Sequence, residues 1–160
     1  MARTILYLQE HDYETLEQLE DHVKEKVREN SIAAEKLKKV DTTIEEAKEM
    51  RKQIITYAQT REIYVAYRKS GYSKKYLKEH EEEIRRHKEA KESFNNYKQI
   101  PKVKELNKQI AEAYEERKGI AKEYYQTKKE MRELLTVREN VKAALKSQEK
   151  EKVEKNEKDL

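Results

Sequence analysis

Between Pro101 and Leu145, residues Val103, Leu106, Ile110, Ala113, Arg117, Ile120, Tyr124, Thr127, Met131, Leu134, Arg138, Val141 and Leu145 recur at alternating steps of three and four. That is a heptad seam, mostly apolar, sustained over about six repeats. A stripe so narrow needs another helix to cover it, and the upstream chain offers one. Leu16, Val23, Asn30, Leu37, Ile44, Arg51, Ala58 and Val65 repeat every seven residues, interleaved with Leu19, Lys26, Ala33, Val40, Ala47, Ile54, Arg61 and Arg68. No helix breaker stands between Tyr13 and Gly71. A helix over 13–69 would be roughly 85 Å long at 1.5 Å per residue.

Charged residues make up 44% of the 160 and hydrophobic ones 35%, whereas a globular domain is about half apolar and a quarter charged. Thin helix-on-helix packing suits that shortage of apolar matter. Two glycines and one proline leave few turns, so the helices must be few and long. Eleven tyrosines against one Phe and no Trp make the aromatic content amphipathic, able to rim a seam with wet hydroxyls. Lys and Arg number 37 against 33 Asp and Glu, a net charge of +4. Only a local cluster could therefore imply an anionic partner. Cysteine is absent, which excludes disulfides and thiolate metal sites and fits a reducing compartment. No apolar run approaches the roughly 20 residues of a membrane span. The start of the chain has no long apolar core and no small-residue cleavage site, so the expectation is a cytoplasmic protein without a signal peptide.

The expected elements are a short helix over 2–10 with Ile5, Leu6 and Leu8 apolar, a long one over 13–69 capped by Asp12, a middle one over 74–95, and a long one over 101–147. Gly71 suits a left-handed helix end, Ser73 an N-cap for the middle helix, and Pro101 a first helical turn. Residues 148–160 are nearly all Lys and Glu and are expected to form a disordered tail. The fold class expected is all-α: a long, coiled-coil-like antiparallel helical hairpin with the shorter helix packed at its tip, one elongated domain over 1–147. An up-down-up arrangement would leave half of each seam bare, at roughly 25 cal/mol per Å² of apolar surface. Pairing Val65 with Val103 would set Leu37 near Met131, Ile44 near Tyr124, Asn30 near Arg138 and Arg51 near Arg117. A homodimer burying the same faces is the rival. The polar seam residues Asn30, Arg51, Arg61, Arg117 and Arg138 either fix register and pair with flanking Glu, or reach a partner.

Enzyme signals are poor, and none is expected. His80-Glu81-Glu82-Glu83-Ile84 opens like a zinc-protease helix but has Ile where the second His must stand. His80 and His87 lie two turns apart, too far for one metal without a third ligand, and read as part of a packing stripe with Leu77, Ile84 and Phe94. There is no glycine-rich phosphate loop, and no cofactor or metal is expected. One cluster is sharper. Arg61, Arg68, Lys69, Lys74, Lys75 and Lys78 face a single acid, Glu62, and are interleaved with Tyr64, Tyr67, Tyr72 and Tyr76. Lys98, Lys102 and Lys104 are expected near the same end. Cations that release counterions, beside rings that stack on bases, are the composition of a nucleic-acid surface. The other reading is a packed corner of tyrosines with solvated lysines. The candidate binding set is Arg61, Arg68, Lys69, Tyr72, Lys74, Lys75, Tyr76 and Lys78.

Several stretches together resemble a family. Ile5-Leu6-Tyr7-Leu8-Gln9-Glu10-His11, the segment from Tyr57 through Thr60-Arg61, Tyr64 and Tyr67-Arg68-Lys69-Ser70-Gly71-Tyr72-Ser73-Lys74-Lys75-Tyr76, then His80-Glu81, Ile84 and His87-Lys88, and finally Met131-Arg132-Glu133-Leu134-Leu135-Thr136-Val137 look like the C-terminal helical region of relaxases. These are the mobilisation nucleases of conjugative transposons and plasmids in Gram-positive bacteria. The resemblance extends to about Leu145 and implies a role in DNA transfer. It also implies that nicking, by a tyrosine beside a histidine-bound metal, belongs to a separate N-terminal nuclease domain, and no catalytic residue is carried over. The partners expected are DNA at the basic tip, conjugation-complex proteins and that nuclease domain.

Overall fold

The computed structural model describes all 160 residues. They form five helices and no strand: α1 (Ala2–Glu10), α2 (Leu16–Lys69), α3 (Lys74–Glu79), α4 (Glu81–Ser93) and α5 (Val103–Lys158). The fold is all-α, with the two long helices α2 and α5 packed antiparallel. The chain groups into two compact units, Met1–Leu37 with Gly119–Leu160, and Lys38–Lys118, so both long helices contribute to both.

In the first unit Leu19 and Val23 of α2 interlock with Leu134 and Val137 of α5, and Tyr7, Leu8, Tyr13, Leu135 and Val141 pack around them. Burial of such side chains contributes about 1.5–3 kcal/mol each. The seam of α5 passes through Val137, 4% exposed, and not through Arg138. The apolar side chain is preferred inside, while Arg138 sits at the edge and pairs with Glu20. α1 docks by Thr4, which accepts from Asn140 Nδ2 at 2.8 Å, and by Tyr7 and Leu8. Ile5 and Leu6 of α1 point outward instead. Asp12 does not cap α2: it lies in the left-handed region at φ 51. The cap is a reciprocal box, in which Thr15 Oγ1 accepts from the Gln18 N–H at 3.2 Å and Gln18 Oε1 accepts from Glu14 and Thr15.

In the second unit Val40 and Ile44 of α2 and Leu106, Ile110 and Ala113 of α5 are buried. The register differs from the pairing that sets Val65 against Val103. Asn30 donates to Thr127 Oγ1 at 3.0 Å and to the Tyr124 carbonyl, about three helical turns from Arg138. Arg51 meets Asn107 at 2.8 Å, and Arg117 binds Asp41. Asn30, Arg51, Arg117 and Arg138 thus find polar partners, whereas Arg61 makes no ion pair. The displacement has a cause: the last turns of α2 are covered by α4, and α5 begins alongside the middle of the helix. The expected middle helix is two, bent at His80, which ends α3 and opens α4. The connection after α4 brings Tyr97, Ile100 and Pro101 back against Thr43, Ala47 and Met50. α5 continues to Lys158, past the expected end near Ser147. Residues 148–158 are exposed there, and their sequence places Glu151 and Glu154 four residues before Lys155 and Lys158, a helix-supporting arrangement. No helix is long and apolar enough to cross a membrane.

Candidate nucleic-acid interface

The corner between α2 and α3 is built by one turn. Its backbone is a helix terminator of the Schellman type. The Tyr72 N–H reaches the Tyr67 carbonyl at 3.2 Å and the Gly71 N–H reaches that of Arg68 at 3.1 Å. Gly71 takes φ 68 and Tyr72 φ 60. A glycine meets that demand without a Cβ penalty; Tyr72 meets it at a steric cost, offset by the ring contact that this motif favours. Its ring stands edge-to-face on Tyr67, 5.3 Å between centroids at 85°. Ser70 Oγ donates to the Tyr67 carbonyl and accepts from the Ser73 N–H. Ser73 Oγ then caps α3 by accepting from Tyr76.

Behind the turn the tyrosines are structural. From Tyr57 onward the buried face of α2 passes through Tyr57, Thr60, Tyr64 and Tyr67, one residue away from the heptad positions Ala58, Arg61, Val65 and Arg68. A different partner, α4, sets this face. His87 of α4 is buried, 3% exposed, and lies between the rings of Tyr57 and Tyr64 at 4.5 and 4.4 Å. Tyr57 also meets Phe94 edge-on. Tyr76 is half-buried, 6.4 Å from Tyr67 and 4.5 Å from His80. Tyr76 therefore takes part in the packing of the corner. Of the four tyrosines only Tyr72 is exposed, at 58%.

The cations are outside. Arg61, Arg68, Lys69, Lys74, Lys75 and Lys78 are all exposed, and none makes an ion pair within the chain. Placement of Arg61 and Arg68 off the seam is what frees them. Lys98, Lys102 and Lys104 do not join them, because Lys102 lies with Thr43, Glu46 and Met50, far back along α2. One cation absent from the candidate set does approach: Lys88 Nζ sits 5.9 Å from the Tyr67 ring centroid. Its position next to His87 on the α4 stripe was the available signal. No group of three or more His, Asp or Glu side chains is arranged to hold a metal ion.

The corner thus offers unpaired positive charge on a rigid turn with one free ring. It has the means to bind an extended anion. Comparison with protein-family models, curated proteins and solved structures finds no match to the chain.

Proposed function

We propose that the chain is a non-catalytic helical arm of a DNA-mobilisation relaxase, whose α2–α3 corner holds DNA by its phosphates while a nuclease domain of the full-length protein carries out the chemistry. The observation that carries this reading is the set of six exposed, unpaired cations between Arg61 and Lys78. Neutralising phosphates releases condensed counterions, so such a set gains affinity without sequence readout. The likeness of the segments from Ile5 to Val137 to the helical region of relaxases supports the wider role, including docking to conjugation proteins.

The competing function is a coiled-coil module that binds only protein. Much of both seams is buried within the chain, at Leu19, Val23, Ala33, Val40 and Ile44 of α2 and at Leu106, Ile110, Ala113 and Leu134 of α5, which favours the self-paired arm over a module that dimerises through them. The test is a mobility shift of labelled DNA at about 50 mM salt, where phosphate contacts are strongest. Wild type is expected to shift it. Arg68→Glu, Lys69→Glu, Lys74→Glu and Lys75→Glu combined are expected to abolish the shift with an unchanged melting temperature. Absence of binding by the wild type at that salt rejects the DNA role.

A further inference from the structure

We infer that the corner takes an unpaired nucleic-acid strand in preference to a duplex, with one base stacked on the ring of Tyr72; this rests on the nucleic-acid reading proposed above. Tyr72 is 58% exposed, and the one aromatic ring it meets is that of Tyr67, at 85°. In an edge-to-face pair, whichever ring supplies the edge, Tyr67 leaves at least one face of Tyr72 uncovered, and the residue is largely exposed. The backbone beneath it is pinned by the hydrogen bond to the Tyr67 carbonyl, so little freedom is lost when a base settles on it. Within a few residues on either side stand Arg68, Lys69, Lys74 and Lys75, exposed and unpaired. Phosphates on the lysines and a base on the ring is the recognition mode of proteins that hold single strands. A duplex satisfies the lysines equally but keeps its base faces stacked on one another, leaving the ring without a partner.

The fitting experiment uses the full chain and a labelled thymidylate strand of about 12 nucleotides, within the site sizes of such surfaces. Its comparison is a strand of equal length and charge made of abasic residues, with a duplex of the same length as a competitor. Two variants isolate the ring: Tyr72→Asn, which tolerates the left-handed backbone, and Tyr72→Phe, which keeps the π-face. Wild type and the Phe variant should bind the thymidylate strand about tenfold more tightly than the abasic strand, as loss of one stacked base implies, and the duplex should compete poorly. The Asn variant should bind both strands alike, with the salt dependence of wild type. Equal binding of the two strands by wild type, or a base preference retained in the Asn variant, overturns the inference alone. Absence of binding to any strand or duplex at about 50 mM salt removes the nucleic-acid reading and this inference with it.

Discussion

Thr60 Oγ1 on α2 and His87 Nδ1 on α4 lie 2.9 Å apart, a direct polar bond across the packed face of the corner. The hydroxyl has one proton, and Oγ1 stands 2.7 Å from the Thr56 carbonyl, which takes it. The oxygen therefore accepts from His87, and the neutral imidazole carries its proton on Nδ1. Two tyrosine rings close the faces of the imidazole.

Burial holds the His87 pKa below its ordinary value, with the nearby charge of Lys91 acting in the same direction and a backbone hydrogen bond at Tyr57 opposing them. The unfolded chain therefore binds a proton at a pH where the folded chain does not. Stability from this group is fully present above the unfolded value of about 6.5 and is lost as pH falls from there towards the lower folded value. Thermal melts of wild type between neutral and mildly acidic pH should show this loss. His87→Gln should melt lower than wild type at neutral pH, and the gap should narrow on acidification. A gap independent of pH would contradict the account.

Gly71 supports a prediction free of packing terms. A Cβ built there meets nothing within 4 Å, yet φ is 68°. Gly71→Ala should therefore destabilise by about 1 kcal/mol through backbone strain alone, seen as a lower midpoint in urea with an unchanged slope. A neutral substitution would mean that the turn does not hold its left-handed conformation in solution.

The first unit rests on few side chains, so each should matter. Leu134 is 1% exposed and packs on Leu19, Val23 and Val137. Leu134→Ala is expected to cost about 2–5 kcal/mol, measured by denaturant unfolding. Leu135→Ala, next to it but only partly buried, should cost less.

The heptad rows made the long helices, their antiparallel pairing and most of the α5 seam legible, because an apolar stripe admits one kind of cover. Register was not legible. Seam residues such as Ala33, Val40 and Ala47 fit several offsets, and the actual one is set by how far α4 reaches along α2. For the same reason the row through Arg61 and Arg68 misread the end of α2: the partner there is α4, and Tyr57, Thr60, Tyr64 and Tyr67 turn to meet it. The cation cluster could be read from charge alone. Which of its rings were free could not, since Tyr72 and Tyr76 differ only in the turn geometry between them.

Self-pairing of the seams makes a prediction about mass. In the second unit α2 buries Val40 and Ile44, and α5 buries Leu106, Ile110 and Ala113. Pairing is pegged by Arg51 on Asn107 and Arg117 on Asp41 there, and by Asn30 on Thr127 in the other unit. A homodimer through the same seams would have to break those pegs and expose the apolar stripes before re-covering them. Sedimentation equilibrium should therefore return the 19.3 kDa chain mass at every loading concentration. A mass that climbs with concentration, and falls back when Leu106 and Ile110 are changed to polar residues, would show that a second copy covers the stripe.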